Sequence, residues 1–249
     1  MKVPDLYVGK RLFVGDGAQQ ELYKIGLQAI KDAEGFGGAI FKPRANQYEI
    51  IKRIEDSNFA NIRFTGVDID AAAFVTMSLM NQKVGPKSIE QLMELIQISH
   101  TPFIIKGIMD VEDAENAVKA GASAIVVSNH GGRITDNHPS SISVLPDIVK
   151  AVKGKIKIIF DGGIRNGEDI FKALALGADI VMIGRPFAIA VMGGNKEGVS
   201  ILVKQYREEL KKIMILTGAE NVSSITENMI ICPDFNSIHL NRNGSFTLI

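Results

Sequence analysis

Short apolar runs alternate with amphipathic segments along most of this chain, and polar or glycine-containing residues separate them. Seven of the apolar runs are short and often β-branched, which is typical of strands buried on both faces of a sheet. The intervening segments Asp110–Ala120, Ser140–Val152 and Gly167–Leu176 have helical spacing. This alternation predicts βα units and a parallel sheet. The seven predicted strands are Arg11–Val14, Ala39–Phe41, Ile62–Val67, Pro102–Lys106, Ala124–Val127, Ile156–Phe160 and Ile180–Ile183.

The predicted fold class is α/β, a TIM (β/α)8-type barrel that is incomplete at its N-terminal strand. A chain of 249 residues has a length at which such barrels occur as single domains, so we predict one domain over residues 1–249. A closed barrel of this type needs eight strands, and before Arg11 only the run Leu6–Val8 is left. Residues 1–17 are therefore expected to be an incomplete segment. Either that run closes the barrel, or the sheet is open there and is covered by the C-terminal tail or a partner chain.

Residues 227–249 depart from the βα alternation. Met229–Cys232 and Ser237–Leu240 are short apolar or alternating runs, and Asn241–Gly244 followed by Ser245–Ile249 has the pattern of a β-hairpin. We predict a small C-terminal β extension.

Composition narrows the possible partners and location. Lys plus Arg and Asp plus Glu both number 28, so no basic surface indicates a nucleic acid or an anionic membrane as partner. Cys232 is the only cysteine, which excludes an internal disulfide and a cysteine-cluster metal site and favours a reducing compartment. We predict no bound metal. We also predict a cytoplasmic protein, since the N-terminal residues lack the apolar core of a signal peptide and no stretch has the length of a membrane span.

Candidate chemistry is concentrated in Ala124–Arg133, where a predicted strand leads into a glycine turn. His130 and Arg133 follow the C-terminal end of that strand, which is the end where parallel α/β barrels place their active sites. Histidine can act as a base near neutral pH, and arginine can bind a carboxylate through two parallel hydrogen bonds. The alternative is that both residues only cap the strand and line a loop.

Three further strand ends carry polar groups. Lys106 ends an apolar run and must meet a negative group or water there, so a purely structural ion pair is the alternative to a catalytic role. Asp161–Arg165 and Gly184–Pro186 follow the last two predicted strands, the positions at which barrels of this type often bind phosphate. Ordinary turns are the alternative for these two loops.

Four motifs together resemble the family of FMN-dependent α-hydroxy acid oxidases and dehydrogenases, to which glycolate and lactate oxidases belong. The resemblance runs in order from about Pro86 to Thr226. The motifs are Lys106-Gly107, Ser128–Arg133, Asp161–Arg165 with Phe171–Ala178, and Ile183–Pro186.

The resemblance implies a TIM barrel with FMN bound across its C-terminal rim, a small 2-hydroxy acid as substrate and a homo-oligomeric assembly. Lys106 would lie by the pyrimidine edge of the flavin, and Ser128 would contact the flavin or its ribityl chain. His130 would take a proton from the substrate while Arg133 binds its carboxylate. The ribityl and phosphate groups would be held by Asp161, Gly162, Gly163, Arg165, Gly184 and Arg185.

Upstream of Pro86 the chain departs from the family pattern. Asp70 is expected to match the aspartate that supports the imidazolium form of the base. Asp68 is the alternative for that role and would otherwise lie near the flavin. A second substrate arginine has no counterpart in Ala71–Met77, and Phe41–Arg44 lacks the family's tyrosine. Lys42 and Arg44 in this segment can bind an anion in place of the missing groups, or they can be surface residues of the rim with no role in binding.

Two functions remain open on this basis. The first is FMN-dependent oxidation of a small 2-hydroxy acid to the 2-oxo acid. The second is an FMN-binding protein of the same family that has lost this oxidation, which the missing substrate groups would explain. A different phosphate-binding barrel, such as a flavin-dependent isomerase, is disfavoured because a carboxylate clamp beside a base has no evident use on a diphosphate.

Overall fold

Parallel β-strands and helices alternate along the chain in the computed structural model, which describes residues 12–15, 20–34, 36–59, 61–231, 238–240 and 246–248. The strands are β1 (Leu12–Gly15), β2 (Gly37–Phe41), β3 (Phe64–Asp68), β4 (Phe103–Ile108), β5 (Ala124–Val127), β6 (Lys157–Asp161), β7 (Ile180–Met182), β8 (Ile238–Leu240) and β9 (Phe246–Leu248). The α-helices are α1 (Gln20–Asp32), α2 (Gln47–Phe59), α3 (Val75–Leu79), α4 (Ile89–Ile98), α5 (Val111–Ala120), α6 (Ser141–Val152), α7 (Gly167–Ala175) and α8 (Arg185–Thr217). Short 3₁₀ turns lie at Ile69–Ala73, Val222–Ser224 and Glu227–Met229.

Strands β1 to β7 form one sheet in which each strand pairs in parallel with the next. All seven predicted strands are present; β5 has the predicted bounds, and the bounds of the other six differ by at most two residues. Within the described part of the chain, β1 and β7 do not pair with each other and no eighth strand joins the sheet. The run Leu6–Val8, one candidate for closing the barrel, lies outside the described residues.

The two faces of the sheet bury different sets of side chains. One face packs against the helices and contributes to a large core that includes Val67, Ile105 and Phe160. The other face carries a smaller cluster in which Met182 packs against buried residues of β2 to β6. Such burial on both sides is what makes parallel strands nearly continuous apolar runs. The buried members of the smaller cluster are Ile40, Phe64, Ile104, Ala124, Val126 and Ile159.

Strand register brings the polar strand ends to one rim. Asp68 at the end of β3 lies opposite Lys106 of β4, and Asp161 at the end of β6 lies opposite Met182 of β7. Because all seven strands run in the same direction, their C-terminal ends and the loops that follow share this edge.

Helix starts that the spacing predicted are capped by side chains. The Asp110 carboxylate accepts a hydrogen bond from Asp113 N at 2.7 Å, which starts α5 at Val111. The Asn166 side chain accepts from Asp169 N at 2.8 Å and starts α7 at Gly167. Such caps satisfy backbone donors that have no partner inside the helix.

The predicted C-terminal β extension is confirmed in one part and wrong in another. Strands β8 and β9 pair antiparallel, with Ile238 opposite Leu248, while the predicted turn 241–244 lies outside the described residues. The predicted strand Met229–Cys232 does not form in its described part. Met229 N instead bonds to Thr226 O at 3.0 Å in a 3₁₀ turn, and Ile231 is 96% exposed, so no neighbouring strand supports the run.

None of the helices in the described ranges combines the length and the apolar character that crossing a bilayer requires.

Helix α8 is interrupted about one-third of the way along by a strained backbone. Gly194 (φ −155°, ψ 18°) and Asn195 (φ 47°, ψ −134°) both depart from helical geometry. The Asn195 conformation is one that glycine adopts readily and side chains with a Cβ disfavour. This break separates the turns that begin at Arg185 from the longer segment that packs on α7.

We predict that Asn195→Gly raises the free energy of unfolding by about 0.5–1 kcal/mol, because relief of the strain exceeds the added entropy of the unfolded chain. Urea denaturation measures this. As the control, Lys204→Gly at an exposed helical position should lower the free energy of unfolding by about 1 kcal/mol. A loss of stability in Asn195→Gly similar to that of the control would contradict the strained conformation.

Candidate active site

A buried carboxylate, that of Asp68, lies at the centre of the C-terminal rim. Asp68 is 4% exposed, and an ionised carboxylate in such a place needs charged partners. Lys106 Nζ donates to Asp68 Oδ1 at 2.9 Å, and Lys42 Nζ donates to Asp68 Oδ2 at 2.5 Å. Lys106 is therefore in the ion pair that its strand-end position required, and Lys42, one of the two cations expected near the rim, shares the same carboxylate.

Asp68 and Asp70 have pKa values displaced in opposite directions. Burial alone would raise the pKa of Asp68, but the charges of Lys106 and Lys42 outweigh it and hold that pKa well below its usual range. Burial raises the pKa of Asp70, and the hydrogen bond to His130 and the charge of Lys106 offset this only in part. The rim therefore keeps one carboxylate firmly ionised and binds a proton more readily on the other.

His130 lies in a tight left-handed turn after β5. His130, Gly131 and Gly132 have φ values of 58°, 69° and 76°, and glycine at the second and third positions avoids the steric cost of a Cβ. Asn129 Oδ1 accepts hydrogen bonds from the backbone N–H groups of Gly131 and Gly132 at 3.1 and 3.2 Å. The Asn129–Gly132 sequence thus turns the chain sharply enough to keep the His130 side chain 92% buried at the rim.

The His130 imidazole faces both aspartates, and Asp70 is the nearer. His130 Nδ1 lies 3.0 Å from Asp70 Oδ1, 3.5 Å from Asp68 Oδ2 and 3.5 Å from Lys106 Nζ. Asp68 is already shared by two lysines, whereas Asp70 Oδ2 is buried with no hydrogen-bond partner among the described residues. The structure therefore brings four predicted residues, His130, Asp70, Asp68 and Lys106, into one cluster.

Phe74 is a member of the site that sequence reasoning missed. Its ring centroid lies 5.1 Å from that of His130, 5.0 Å from Lys42 Nζ and 5.9 Å from Arg133 Cζ. Contacts between cations and aromatic faces at such distances are favourable. Phe74 is the one aromatic residue in Ala71–Met77, which is the signal that could have drawn attention to it.

Arg133 is exposed at the rim beside this cluster. Its Nε donates to His130 O at 3.1 Å, which ties the guanidinium to the turn that carries the histidine. The terminal nitrogens of Arg133 make no hydrogen bond to another described residue. The guanidinium can therefore bind an anion from solvent.

Ser128 links the His130 turn to β6. Its hydroxyl donates to Asp161 Oδ2 at 2.7 Å and accepts from His130 N at 3.1 Å, and Ser128 is fully buried. Ser141 Oγ donates to Asp161 O at 2.7 Å from α6. The predicted flavin contacts Ser128 and Asp161 are thus also bonded to each other.

The loops after β6 and β7 leave open space beside backbone and cationic groups. Side chains added at Gly163 or Gly184 would meet nothing within 4 Å, and Arg165 and Arg185 are exposed. Arg185 begins α8 and reaches back to Gly131 O at 3.5 Å. An exposed helix N-terminus with glycines and arginines is suited to an anion such as phosphate, so these loops fit the phosphate-bearing end of FMN.

Ligand atoms of Asp68, Asp70 and His130 lie within 4.8 Å of one another, a grouping that in isolation can hold a metal ion. Lys42 and Lys106 already compensate the charge of Asp68. A cation bound there would face two ammonium groups at short range, which is electrostatically unfavourable.

The chain resembles known proteins in both sequence and fold. The family described as FMN-dependent dehydrogenase matches residues 44–232. The chain is 43% identical to an L-lactate oxidase of Lactobacillus jensenii over 66% of its own length and 40% of that protein. It is 50% identical to an L-lactate dehydrogenase of Pseudomonas entomophila over 52% of its own length and 34% of that protein. The matched region thus spans less than half of either relative.

A solved structure of mandelate oxidase with benzoyl-formic acid superposes with a TM-score of 0.77 at 29% identity, covering 86% of this chain and 67% of that one. This likeness confirms the predicted α/β barrel architecture, of which this structure contains an incomplete form.

Asp68 should make stability depend on pH in the acid range. Its pKa is lowered below the ordinary value of 3.8, so its contribution is complete above that value and is lost as the pH falls toward the folded-state pKa. We predict that Asp68→Asn lowers the free energy of unfolding at pH 7 by about 3 kcal/mol, because two buried lysines lose their counter-ion. The variant should also show a shallower decline below pH 4.

Urea denaturation at a series of pH values measures both effects. Asp179→Asn is the matched control, since Asp179 pairs with Lys157 at the surface, where the lysine side chain is 70% exposed. The control should change stability by less than about 1 kcal/mol. Parallel pH profiles for Asp68→Asn and the parent protein would show that Asp68 is not the buried charge proposed.

Proposed function

The chain belongs to the FMN-dependent dehydrogenase family, and we propose on that basis that it binds FMN and oxidises a small 2-hydroxy acid to the 2-oxo acid. FMN is the cofactor of this family. The observation that supports the proposal is the arrangement of side chains at one rim. The buried His130 imidazole is hydrogen-bonded to Asp70, and the exposed Arg133 guanidinium lies beside it. The loops after β6 and β7, which are suited to an anion, lie at the same rim.

Substrate binding is assigned to Arg133. A guanidinium matches a carboxylate through two parallel hydrogen bonds, and the Arg133 side chain is exposed and anchored by its Nε to His130 O. Lys42 supplies a second positive charge near Phe74. Lys42 belongs to Phe41–Arg44, which stands where the family pattern has its tyrosine, and Ala71–Met77 contains no second arginine.

Proton transfer is assigned to His130. When Nδ1–H donates a hydrogen bond to Asp70 Oδ1, the lone pair of Nε2 is available to accept the proton of the substrate hydroxyl. The imidazolium that forms is then stabilised by Asp70 at 3.0 Å and by Asp68 at 3.5 Å. Asp70 thereby holds the ring in one tautomer and orientation, and Asp68 supplies a fixed negative charge.

The residues that would hold FMN lie along the ends of β4 to β7. Lys106 and Ser128 would lie at the flavin or its ribityl chain, and Asp68 would be near it. The ribityl and phosphate groups would be held by Asp161, Gly162, Gly163, Arg165, Gly184 and Arg185. When bound, FMN supplies the acceptor for the two reducing equivalents that leave the substrate.

The alternative is an FMN-binding protein of the same family that has lost oxidation. It is favoured by the absence of the second arginine from Ala71–Met77 and of the tyrosine from Phe41–Arg44. A single domain, a cytoplasmic location, homo-oligomeric assembly and the lack of nucleic-acid or membrane partners stay predictions under either function.

We predict that the protein reconstituted with FMN loses its visible flavin absorbance when a suitable 2-hydroxy acid is added under anaerobic conditions. A panel that includes lactate, glycolate and mandelate is to be used. His130→Ala should retain FMN but slow this bleaching by about 10²- to 10⁴-fold, the usual contribution of a general base.

His138→Ala is the matched control, because His138 is exposed on the loop that follows the same turn and should bleach at the parental rate. Bleaching of His130→Ala at the parental rate would remove His130 from the reaction. FMN binding with no bleaching by any acid of the panel would favour the alternative function.

A further inference from the structure

Gly107 occupies an irregular position inside β4. Lys106 pairs with Val126 of β5, but Ile108 pairs with the very next residue, Val127. Gly107 is therefore the extra residue of a β-bulge, a feature that often redirects side chains next to active sites. Its φ of 99° lies in the region that favours glycine.

The space beside Gly107 is filled by Asp70. A Cβ built on Gly107 would lie 2.6 Å from both Cβ and Cγ of Asp70 and 2.8 Å from its backbone N. These distances are shorter than real side-chain contacts permit, and one of the atoms is backbone. Any side chain at position 107 would therefore displace the turn Ile69–Ala73 that carries Asp70.

The Asp70 carboxylate lacks the lysine partners at hydrogen-bond distance that fix Asp68. Oδ1 lies 3.0 Å from His130 Nδ1, whereas Oδ2 has no hydrogen-bond partner among the described residues. The bare backbone of Gly107 packs against the same side chain and leaves it room beside the imidazole.

We propose that Gly107 is a positioning residue, whose missing side chain lets the Asp70 carboxylate reach and orient the His130 imidazole. This inference rests on the proposed function in so far as His130 is the base. Its structural part, the dependence of the Asp70–His130 hydrogen bond on Gly107, stands independently of the reaction.

The variant Gly107→Ala tests the proposal in the FMN-loaded protein. We expect the rate of anaerobic flavin bleaching to fall about 10²-fold, the effect of a displacement of about 1 Å in a catalytic group, with FMN affinity changed less than threefold. In an Asp70→Ala background the same substitution should cause no further loss, because the carboxylate it displaces is gone. An equal loss in both backgrounds, or no loss in either, would overturn the proposal.

Gly121→Ala controls for backbone strain alone. Gly121 has φ 86° at the C-terminal end of α5, and a Cβ there would meet nothing within 4 Å. It should lower stability but leave the bleaching rate unchanged. A loss of rate in Gly121→Ala equal to that in Gly107→Ala would show that strain, and not contact with Asp70, explains the effect.

A readout that does not need turnover is the ¹⁵N-coupled imidazole proton of His130, assigned among the four histidines with His130→Gln. We expect the hydrogen-bonded Nδ1 proton signal to be lost in Gly107→Ala and in Asp70→Ala and kept in Gly121→Ala. The proton signal therefore tests the positioning role of Gly107 separately from the proposed oxidation. A parent protein that binds FMN without bleaching would refute the proposed oxidation, while retention of the signal in Gly107→Ala would refute the positioning role.

If Gly107→Ala does not fold, the double variant Gly107→Ala with Asp70→Gly decides the question. Removing the Asp70 side chain eliminates both contacts at 2.6 Å and leaves only the approach of 2.8 Å to the backbone N, so the double variant should give more folded protein than Gly107→Ala alone. A double variant that gives no more folded protein than Gly107→Ala would show that the Asp70 side chain is not what position 107 accommodates and would contradict the proposal.

Discussion

The buried carboxylate of Asp68 constrains the whole C-terminal rim. An ionised group that is 4% exposed is tolerated only with opposite charge at short range, and here two ammonium groups provide it. Because Lys42 follows β2, Asp68 ends β3 and Lys106 lies in β4, this interaction joins three consecutive strands at the edge where the site lies. It also places a fixed negative charge 3.5 Å from His130. The rim can therefore carry several cations without an unpaired charge at its centre.

Asp68 and Asp70 have different roles at the rim. Asp68 compensates charge, and its lysine partners hold its pKa below the usual range. Asp70 has no lysine of its own in hydrogen-bond distance, and burial raises its pKa. Its carboxylate is thus available to orient the imidazole. Ser128 joins the His130 turn to Asp161 by two hydrogen bonds, so the base is linked directly to the end of β6, where the flavin is expected to bind.

The periodicity of the sequence predicts the sheet well because strands buried on both faces must be apolar throughout. The same logic anticipated that Lys106 needs an anion, but it did not identify Asp68 as the partner over Asp70. The contacts of Phe74 with His130 and of Gly107 with Asp70 depend on how separate loops pack across the rim, which no local pattern encodes. The run Met229–Cys232 failed as a strand prediction in its described part for a related reason: Met229 to Ile231 are apolar, yet none of the described strands lies beside them to pair with. The residues of strand β8 pair with residues of β9 that lie six to ten positions further along the chain. For this local pair the sequence pattern was sufficient to predict both strands.

The rim holds one carboxylate, Asp68, whose lysine partners lower its pKa, and a second, Asp70, that faces the imidazole of the base. Carbon-13 NMR of the aspartate carboxyl groups measures this directly, with the two signals assigned by Asp68→Asn and Asp70→Asn. Over the pH range in which the protein stays folded, the Asp68 signal should not move until the pH is well below 3.8. The Asp70 signal should titrate above 3.8. Titration of both signals near that ordinary value, or titration of Asp68 at the higher pH, would contradict this arrangement.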